Sequence, residues 1–226
     1  MSVNGYGLGR LHSLDARDHA YLLRATEASR PRRSKTWPLF AKWLDQGATG
    51  TCVGHAFRHL LTGTPQPRRD PLPSAYLIYD KAIEIDEFPE NDRDYARQFG
   101  TSVRAGARVL QGMGLISAYG WAYDIDTAID WLCWHGPLVS GTVWLDSMFD
   151  RRKDGSVAVD RTRRPVGGHA YLWAGWNEKR GAVYCVNSWR TWGGFWLAGE
   201  DAEWLLLQDG EVCSPTEVAH TKGAQG

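Results

Sequence analysis

The pattern of apolar residues changes character at Gly136-Pro137, and this change constrains the fold more than any other feature of the chain. Before it, apolar residues recur at helical spacing, as at i, i+3, i+4, i+7 and i+8 counted from Val53. After it come two near-continuous apolar runs, HAYLWAGW and AVYCVNSW, separated only by NEKRG, which predict a buried antiparallel hairpin. The sequence therefore predicts an α+β chain in which helices and strands are segregated into two lobes.

The chain of 226 residues is long enough to bury a sizeable core and divides into four predicted segments. These are an N-terminal arm at 1–44, a helical lobe at 45–136, a β-rich lobe at 137–213 and a flexible tail at 214–226. Four helices are predicted. The first begins at Cys52 after a Thr51 cap, and the second runs from about Ala75 to Glu84 after a Ser74 cap. The third follows a Thr101 or Ser102 cap and ends at Leu110, and the fourth follows an Asp126 cap and ends at Trp134. The stretches LVSGTVW and KDGSVAVD are predicted to contribute further strands.

Charge and composition argue against several classes of protein. Basic and acidic residues balance at 26 each, so no net charge attracts the chain to nucleic acid or to a membrane surface. The chain starts without an apolar signal and has no run of membrane-spanning length, so we expect a cytoplasmic protein. The four cysteines are widely separated, with no C-x-x-C pair, which argues against a zinc site and against a disulfide framework. We expect neither a metal nor a cofactor.

One cysteine, Cys52, stands where a reactive thiol would be expected. It is predicted to begin a helix, and the positive end of the helix dipole favours the thiolate and lowers the pKa of the thiol. The preceding loop contains Gln46, whose side-chain amide could join the backbone N–H of Cys52 as an oxyanion-binding pair. A lone helical cysteine is nevertheless more often a small buried side chain, and this alternative stays open. On the same reasoning, Cys133, Cys185 and Cys213 are interpreted as structural.

A base for this thiol is suggested by the predicted hairpin. His169 opens one strand and Asn187 ends the return strand, and a loop centred near Lys179 brings them close together on one face. The Asn187 oxygen could then accept a hydrogen bond from the imidazole and fix its tautomer. Trp189, two residues further on, could shield that bond from water. Taken alone, His169 is better explained as a buried structural histidine.

In their order along the chain, these residues resemble the papain-like cysteine peptidase family. The resemblance is carried by Gln46-Gly47 ahead of Cys52, by His169-Ala170, and by Asn187-Ser188-Trp189. It is extended by Trp192-Gly193, by GPLV from Gly136, and by FGTS from Phe99 to Ser102. The similarity covers most of the chain beyond residue 45 and is closest to compact bacterial or phage members.

The resemblance implies a fold, a reaction and a set of site residues. The implied fold has a helical lobe and a β-barrel-like lobe with the cleft between them. Cys52 would be the nucleophile, His169 its general base and acid, and Asn187 the group that orients His169. Gln46 and the Cys52 N–H would form the oxyanion hole during peptide-bond hydrolysis. The substrate-binding positions implied are Gly100, Thr101, Gly168 and Trp189.

Three features depart from the family pattern. Thr49 replaces a disulfide cysteine, Val53 replaces a common tryptophan, and only 45 residues precede Gln46 where the family usually has a long inhibitory prosegment. The stretch SLDARDHAYLL from Ser13 resembles the arm of compact relatives. We therefore expect part of the arm to cross both lobes, and we expect a chain made near its final form, without classical zymogen control.

Two other functions are weighed against a peptidase. A papain-like fold could serve binding or assembly with little catalysis, although the complete Cys, His, Asn and Gln set argues against this. A related amidase or peptidoglycan hydrolase could use the same residues, although the chain has no wall-binding repeat or export signal. The expected partner is a protein or peptide substrate, and a virion or host-protein partner is left open.

Overall fold

A computed structural model describes residues 2–13, 15–23, 30–40, 43–65, 71–87, 99–190 and 193–218. The helices are α1 (Cys52–Leu61), α2 (Ala75–Ile85), α3 (Val103–Gly112), α4 (Ile125–Trp134) and α5 (Gly199–Leu207). The strands are β1 (Ser2–Val3), β2 (Tyr6–Gly7), β3 (Lys35–Thr36), β4 (Ile116–Ala122), β5 (Leu138–Leu145), β6 (Pro165–Asn177), β7 (Ala182–Val186), β8 (Gly194–Ala198) and β9 (Glu211–Val218). Two 3₁₀ turns span Ala16–Ala20 and Asp146–Phe149.

The four predicted helices are present, and two of the proposed caps make side-chain capping bonds. Ser74 accepts a hydrogen bond from the Leu77 N–H at 3.0 Å, and Ser102 accepts one from Ala105 at 3.1 Å. Such bonds satisfy backbone donors that have no partner within the helix. Thr51 is also the N-cap residue of α1, as predicted, but without a side-chain capping bond, whereas the Asp126 prediction is wrong.

Both differences from the cap predictions have simple local causes. The Thr51 side chain makes no capping bond to α1, and its hydroxyl instead pairs with Thr49 at 2.7 Å. Asp124, not Asp126, caps α4 by accepting from Thr127 N–H at 2.7 Å. Asp124 has the extended backbone of a cap, whereas Asp126 already lies in the first helical turn.

Seven strands form one sheet of order β4-β9-β5-β6-β7-β8, with β3 added against β6, and every pairing is antiparallel. The predicted hairpin is β6–β7, and its register pairs Leu172 with Val186 and Trp173 with Cys185. This register matches a loop centred near Lys179. It brings the start of the first apolar run, at His169, and the end of the second, at Trp189, to the same end of the hairpin.

The two faces of the sheet bury different sets of residues, because successive residues of a strand point to opposite faces. Ala170, Leu172 and Ala174 of β6 belong to one core, which includes Val53 and Phe57 of α1. A second core contains Tyr171 and Trp173 together with apolar residues of α4 and α5. Helices therefore cover both faces of the central strands, and α1 is held directly against β6.

Three segments differ from the sequence predictions. Residues 214–218 are not flexible tail but the end of β9, where Ser214 donates to the Pro137 carbonyl at 3.0 Å. Residues 219–226 lie outside the described part of the chain. Strand β4 falls within the predicted helical lobe and pairs with β9, while α5 falls within the predicted β-rich lobe.

The predicted strand in KDGSVAVD is also wrong. In this stretch the structure has only isolated bridges, Arg151 to Val157 and Ser156 to Trp196. The Asp154 carboxylate accepts from both the N–H and the hydroxyl of Ser156, at 3.0 and 2.7 Å. This local turn competes with a continuous ladder. None of the described helices is both long enough and apolar enough to cross a membrane.

Candidate active site

Cys52 and His169 are brought to one place by the packing of α1 on β6. The apolar stripe of α1 fixes the helix against Ala170 and Leu172, so the first residue of α1 lies beside the His169 end of β6. The backbone N–H of Ala170 is directed at the Cys52 sulfur. Both Cys52 and His169 are completely buried.

Asn187 is hydrogen bonded to His169 as the hairpin prediction requires. The His169 Nε2 atom lies 2.8 Å from Asn187 Oδ1, and the Ser188 N–H donates to the same oxygen at 2.8 Å. Because an amide oxygen only accepts, Nε2 carries the proton and Nδ1 of the neutral ring has a lone pair. His169 Nδ1 is buried and has no hydrogen-bond partner among the described residues. The Cys52 thiol is thus not hydrogen bonded to Nδ1 in this structure, but a neutral ring nitrogen with a lone pair can act as a base once the thiol comes within hydrogen-bond distance.

Aromatic side chains cover the His169–Asn187 pair. The indole of Trp189 stacks on the imidazole with ring centroids 4.4 Å apart and an interplanar angle of 19°. Trp144 meets the same ring edge-on at 5.0 Å. Trp189 is 1% exposed, which agrees with its predicted role in excluding water from this bond.

Gln46 is held rigidly in the loop before α1. Its backbone N–H donates to the Ser188 carbonyl at 2.8 Å, and its side-chain oxygen accepts from the Ser188 hydroxyl at 2.5 Å. Its amide nitrogen donates to the carbonyls of Thr49 at 2.7 Å and Gly7 at 3.1 Å. One of the two amide N–H groups of Gln46 is thus bound to a carbonyl supplied by the N-terminal arm.

Residues 6–11, here called the arm segment, lie across the candidate site. The N–H groups of Gly9 and Arg10 both donate to the Gly168 carbonyl at 3.0 Å. Thr101 donates to the Gly9 carbonyl at 2.9 Å, and Leu11 donates back to the Thr101 carbonyl at 3.0 Å. The Gly9 N–H also lies close enough to the Cys52 sulfur to act against the rise in the pKa of the thiol. The chain's own backbone therefore lies between Gly168 and Thr101 and is hydrogen bonded to both.

All four predicted substrate-binding positions meet the arm segment. Gly168 and Thr101 make the hydrogen bonds just described, and Tyr6 packs on Trp189 with ring centroids 4.7 Å apart. Gly100 has a φ of +129°, and a Cβ there would lie 1.7 Å from the Gly9 carbonyl oxygen. The close approach of these two backbones needs a glycine at position 100.

The covering of the site is a feature that the sequence interpretation missed. The signal in the sequence is the repeat of glycines in GYGLGR. A Cβ at Gly7 would lie 1.8 Å from the Thr49 oxygen, and one at Gly9 would lie 1.9 Å from the Gly50 oxygen. Two of these glycines therefore let the arm segment lie flat against the loop that precedes Cys52.

The prediction that the pKa of Cys52 is lowered is wrong for this covered state. Burial raises the pKa of the Cys52 thiol to about 11, although backbone N–H groups of Ala170 and Gly9 act in the opposite direction. Burial also lowers the pKa of His169 to about 4, against the effect of the Asn187 hydrogen bond. Loss of hydration disfavours the charged form of each group, so both are neutral while the arm segment is in place.

All four cysteines are described, all are buried and none forms a disulfide. The described residues contain no group of three or more His, Cys, Asp or Glu side chains that could hold a metal ion. Trp192 of the predicted Trp-Gly pair lies outside the described residues.

Comparison with known proteins gives similarity in structure but not in sequence. No family model and no curated protein matches the sequence. The crystal structure of xylellain, a cysteine protease from Xylella fastidiosa, matches with a TM-score of 0.69 at 17% identity, over 93% of this chain and 94% of that one. A proCathepsin B from Trypanosoma congolense matches with a TM-score of 0.62 at 13% identity, over 95% and 87% of the two chains.

A third solved structure, the digestive procathepsin L2 proteinase of Tenebrio molitor larval midgut, matches with a TM-score of 0.64 at 17% identity. The match covers 94% of this chain and 78% of the procathepsin. At these identities the likeness concerns the fold. The predicted α+β architecture is confirmed, and the chain has the two-lobed fold of the papain-like cysteine proteases.

Proposed function

We propose that the protein is a cysteine peptidase that hydrolyses peptide bonds through an acyl-enzyme on Cys52. The observation that carries this proposal is the hydrogen bond from His169 Nε2 to Asn187 Oδ1, which leaves the buried Nδ1 atom as a base close to a cysteine at a helix start. Protein or peptide substrates are inferred from the solved neighbours, which are described as proteases. In this proposal residues 45–136 supply the nucleophile and residues 137–213 supply the base.

The proposed reaction follows from these positions. His169 Nδ1 takes the proton of the Cys52 thiol, and the thiolate sulfur bonds to the carbonyl carbon of the substrate. The resulting oxyanion is stabilised by the Gln46 amide and the Cys52 N–H. His169 then gives its proton to the departing amine, the C–N bond breaks, and a thioester remains. A water molecule, deprotonated by His169, attacks the thioester and releases the acid and the thiol.

Asn187 and Trp189 act on His169 in this scheme. Asn187 fixes the ring so that Nδ1 is the atom without a proton, and it stabilises the protonated ring when it forms. Trp189 keeps water from the hydrogen bond between the two side chains. Both are positioning residues rather than reacting groups.

Catalysis in this proposal needs the arm segment to be displaced. While it is in place, the Gly7 carbonyl uses a Gln46 N–H and the Gly9 backbone lies against the Cys52 sulfur. Displacement would free the Gln46 donor and admit water to the thiol. Hydration of the charged forms would lower the pKa of Cys52 and raise that of His169, which favours the thiolate–imidazolium pair.

The decisive experiment combines labelling of the thiol with peptide hydrolysis. The chain and its Cys52→Ala and His169→Ala variants are treated with an alkylating agent across a pH range, and each cysteine is followed by mass spectrometry. Labelling of Cys52 that persists below neutral pH and depends on His169, together with hydrolysis of a peptide library that Cys52→Ala abolishes, is the expected result. Cys133→Ala is the matched control, because it removes another buried thiol far along the chain.

The same experiment can refute the proposal. A Gly9→Ala variant, in which the added Cβ pushes the arm segment off the loop, is included so that covering of the site cannot explain a negative result. Slow, His169-independent labelling and no hydrolysis in that variant would leave a binding protein on a protease fold. Hydrolysis of peptidoglycan fragments but not of peptides would instead favour the amidase alternative.

A further inference from the structure

The arm segment carries a buried arginine whose surroundings resemble a binding pocket. Arg10 is 5% exposed, and its guanidinium donates to Glu211 Oε1 from Nε at 3.1 Å and from Nη2 at 3.0 Å. Nη2 also donates to the Asp209 carbonyl at 2.6 Å. Glu211 is 4% exposed and stands at the start of β9. A charged pair this far from solvent is uncommon on an arm that lies across a cleft.

Glycines make room for the arginine side chain. A Cβ at Gly141 would lie 2.8 Å from Arg10 Nε and 2.7 Å from a Val103 methyl group. A Cβ at Gly168 would lie 3.3 Å from Arg10 Cδ. Any larger residue on β5 or β6 at these points would fill the space. The pocket is thus walled by two glycines and Val103 and ends in the Glu211 carboxylate.

The energetics of Glu211 favour a cation in this pocket. A buried carboxylate without a partner is costly, whereas a hydrogen-bonded guanidinium offsets the cost. Burial raises the pKa of Glu211 to about 6 in spite of Arg10, so the carboxylate is ionised above that pH. Glu211 also borders a cavity of about 240 Å³, whose lining includes His12, Asp15 and Asp18, and the two aspartates are already paired with Arg104. Once Arg10 leaves, another cationic side chain is the ligand that best restores the pair.

The pocket lies next to the reacting atoms. The Gly9 backbone lies near the Cys52 sulfur, and Arg10 is the next residue along the arm segment. Gly168, whose carbonyl binds the Arg10 N–H, precedes His169. A peptide held on the same backbone groups would therefore place a side chain in this pocket within one or two residues of the bond to be cleaved.

We propose that the pocket now filled by Arg10 is a substrate-specificity pocket for an arginine or lysine side chain of a peptide, and that Glu211 is the residue that selects it. This inference deepens the proposed function, since it assumes the same cleft, and it names the substrate class as peptides with a basic residue close to the scissile bond. In this proposal Arg10 occupies the pocket in the same way as the basic side chain of a substrate would.

The first test measures binding without catalysis. Fluorescent peptides with arginine or with its neutral isostere citrulline at each of four positions are titrated at pH 7.5 against the full chain carrying Cys52→Ala, Arg10→Ala and Gly9→Ala. The Gly9→Ala change is kept in every variant of this and the next test, so that the arm segment does not cover the cleft. We expect the arginine peptide to bind at least about tenfold more tightly than its citrulline partner at one position, because a desolvated charge pair is lost in the second. Adding Glu211→Gln should abolish the difference.

Matched controls make the result decisive. Glu217→Gln changes an exposed carboxylate on the same strand and should preserve the preference for arginine. Thermal unfolding of each variant verifies that it is folded. Equal affinity for the two peptides in the folded Arg10→Ala protein, or no binding of either, would overturn the proposal. So would a preference that survives Glu211→Gln.

A second test separates this inference from the proposed function. In chains that retain Cys52, the ratio of kcat/KM for arginine and citrulline peptides is compared between Arg10→Ala and Arg10→Ala with Glu211→Gln. A ratio of about ten or more that collapses towards one supports both conclusions. Selective binding without any hydrolysis would keep the pocket and refute the peptidase, whereas hydrolysis without selectivity would do the reverse.

Discussion

At the scale of single residues, the Asn187 amide oxygen accepts two hydrogen bonds. It accepts from His169 and from the Ser188 N–H, both at 2.8 Å, and all three groups are buried. Asn187→Ala should lower kcat roughly 10- to 100-fold, because the imidazole loses the bond that fixes its orientation. KM should change much less. Steady-state hydrolysis in the Gly9→Ala background measures both quantities.

A control distinguishes this positioning role from a general loss of structure. Asn177→Ala removes another amide on the same strand pair, whose oxygen accepts from the Arg180 N–H at 3.0 Å in an exposed turn. It should leave kcat unchanged. Asn187→Ala should also cost about 1–3 kcal/mol of unfolding free energy, since the Ser188 N–H is left without its acceptor. A normal kcat in a destabilised Asn187→Ala protein would contradict the assigned role.

The identities of the candidate site residues were predictable, but their environment was not. The apolar patterns locate the helix and strand ends at which Cys52, His169 and Asn187 stand. The predicted hairpin, with its loop centred near Lys179, brings His169 and Asn187 together. The direction of the Cys52 pKa shift was predicted wrongly, because it depends on residues about 40 positions earlier that exclude water. The bond from Gln46 to Gly7 spans 39 residues and has no local signal.

At the scale of elements, the arm segment is held by close backbone contact more than by side chains. Gly9→Ala places a Cβ where the Gly50 carbonyl oxygen is 1.9 Å away, so the segment cannot keep its position. We expect alkylation of Cys52 to become at least about tenfold faster, since the thiol gains water and the pKa falls. The rate is measured by mass spectrometry under pseudo-first-order conditions.

A second glycine provides the comparison for this experiment. A Cβ at Gly112, at the end of α3, would meet nothing within 4 Å, so Gly112→Ala should leave the labelling rate of Cys52 unchanged. If Gly9→Ala also leaves the rate unchanged, then Cys52 is buried for reasons other than the arm segment. In that case the arm would not control access to the site.

Strand β9 could not be predicted from its own sequence. EVCSPTEV combines a proline with charged and small polar residues and lacks the apolar alternation typical of a strand. It is nevertheless paired on both sides, with β4 and with β5, so its partners define it. Helices α1 to α4, by contrast, were predictable from local properties of the chain, namely apolar periodicity and candidate capping residues.

Two serines at this part of the sheet test how firmly β9 is fixed. Ser214 is buried and donates to the Pro137 carbonyl at 3.0 Å, whereas Ser117 is exposed and donates to Glu217 at 3.0 Å. Ser214→Ala should lower the free energy of unfolding by about 1 kcal/mol or more, because a buried carbonyl loses its donor. Ser117→Ala should change it by less than about 0.5 kcal/mol. Urea titrations give both values, and equal effects would mean that residues 214–218 are not part of the cooperative fold.

At the scale of the whole molecule, the site is formed where helices and sheet meet, and its formation buries histidines as neutral groups. Burial lowers the pKa of His169 to about 4. It lowers the pKa of His59, near the end of α1, to about 3. His59 Nε2 accepts from the Leu44 N–H at 3.2 Å, so the folded state requires an unprotonated ring. At mildly acidic pH the folded chain therefore binds fewer protons on these two histidines than the unfolded chain does.

This exclusion makes the stability of the whole molecule depend on pH with a definite sign. A histidine of ordinary pKa 6.5 gains a proton in the unfolded chain as the pH falls through 6.5, but His59 stays neutral in the folded chain down to about pH 3. Folding stability must then decrease with falling pH. The raised pKa of Glu211 acts oppositely between about 6 and 4.5, because the folded state binds that proton first.

His59→Gln isolates the histidine contribution, since glutamine can still accept from the Leu44 N–H but cannot titrate. Between pH 6 and pH 5 the unfolding free energy of the variant should fall by about 1 kcal/mol less than that of the unmodified chain. Glu211 contributes equally to both proteins and cancels in the comparison. His19→Gln, which changes an exposed histidine, is the matched control and should follow the unmodified chain. Parallel curves for all three proteins in urea titrations would show that burial of His59 does not oppose its protonation, and that the packing of α1 admits a charge beside the loop that leads to Cys52.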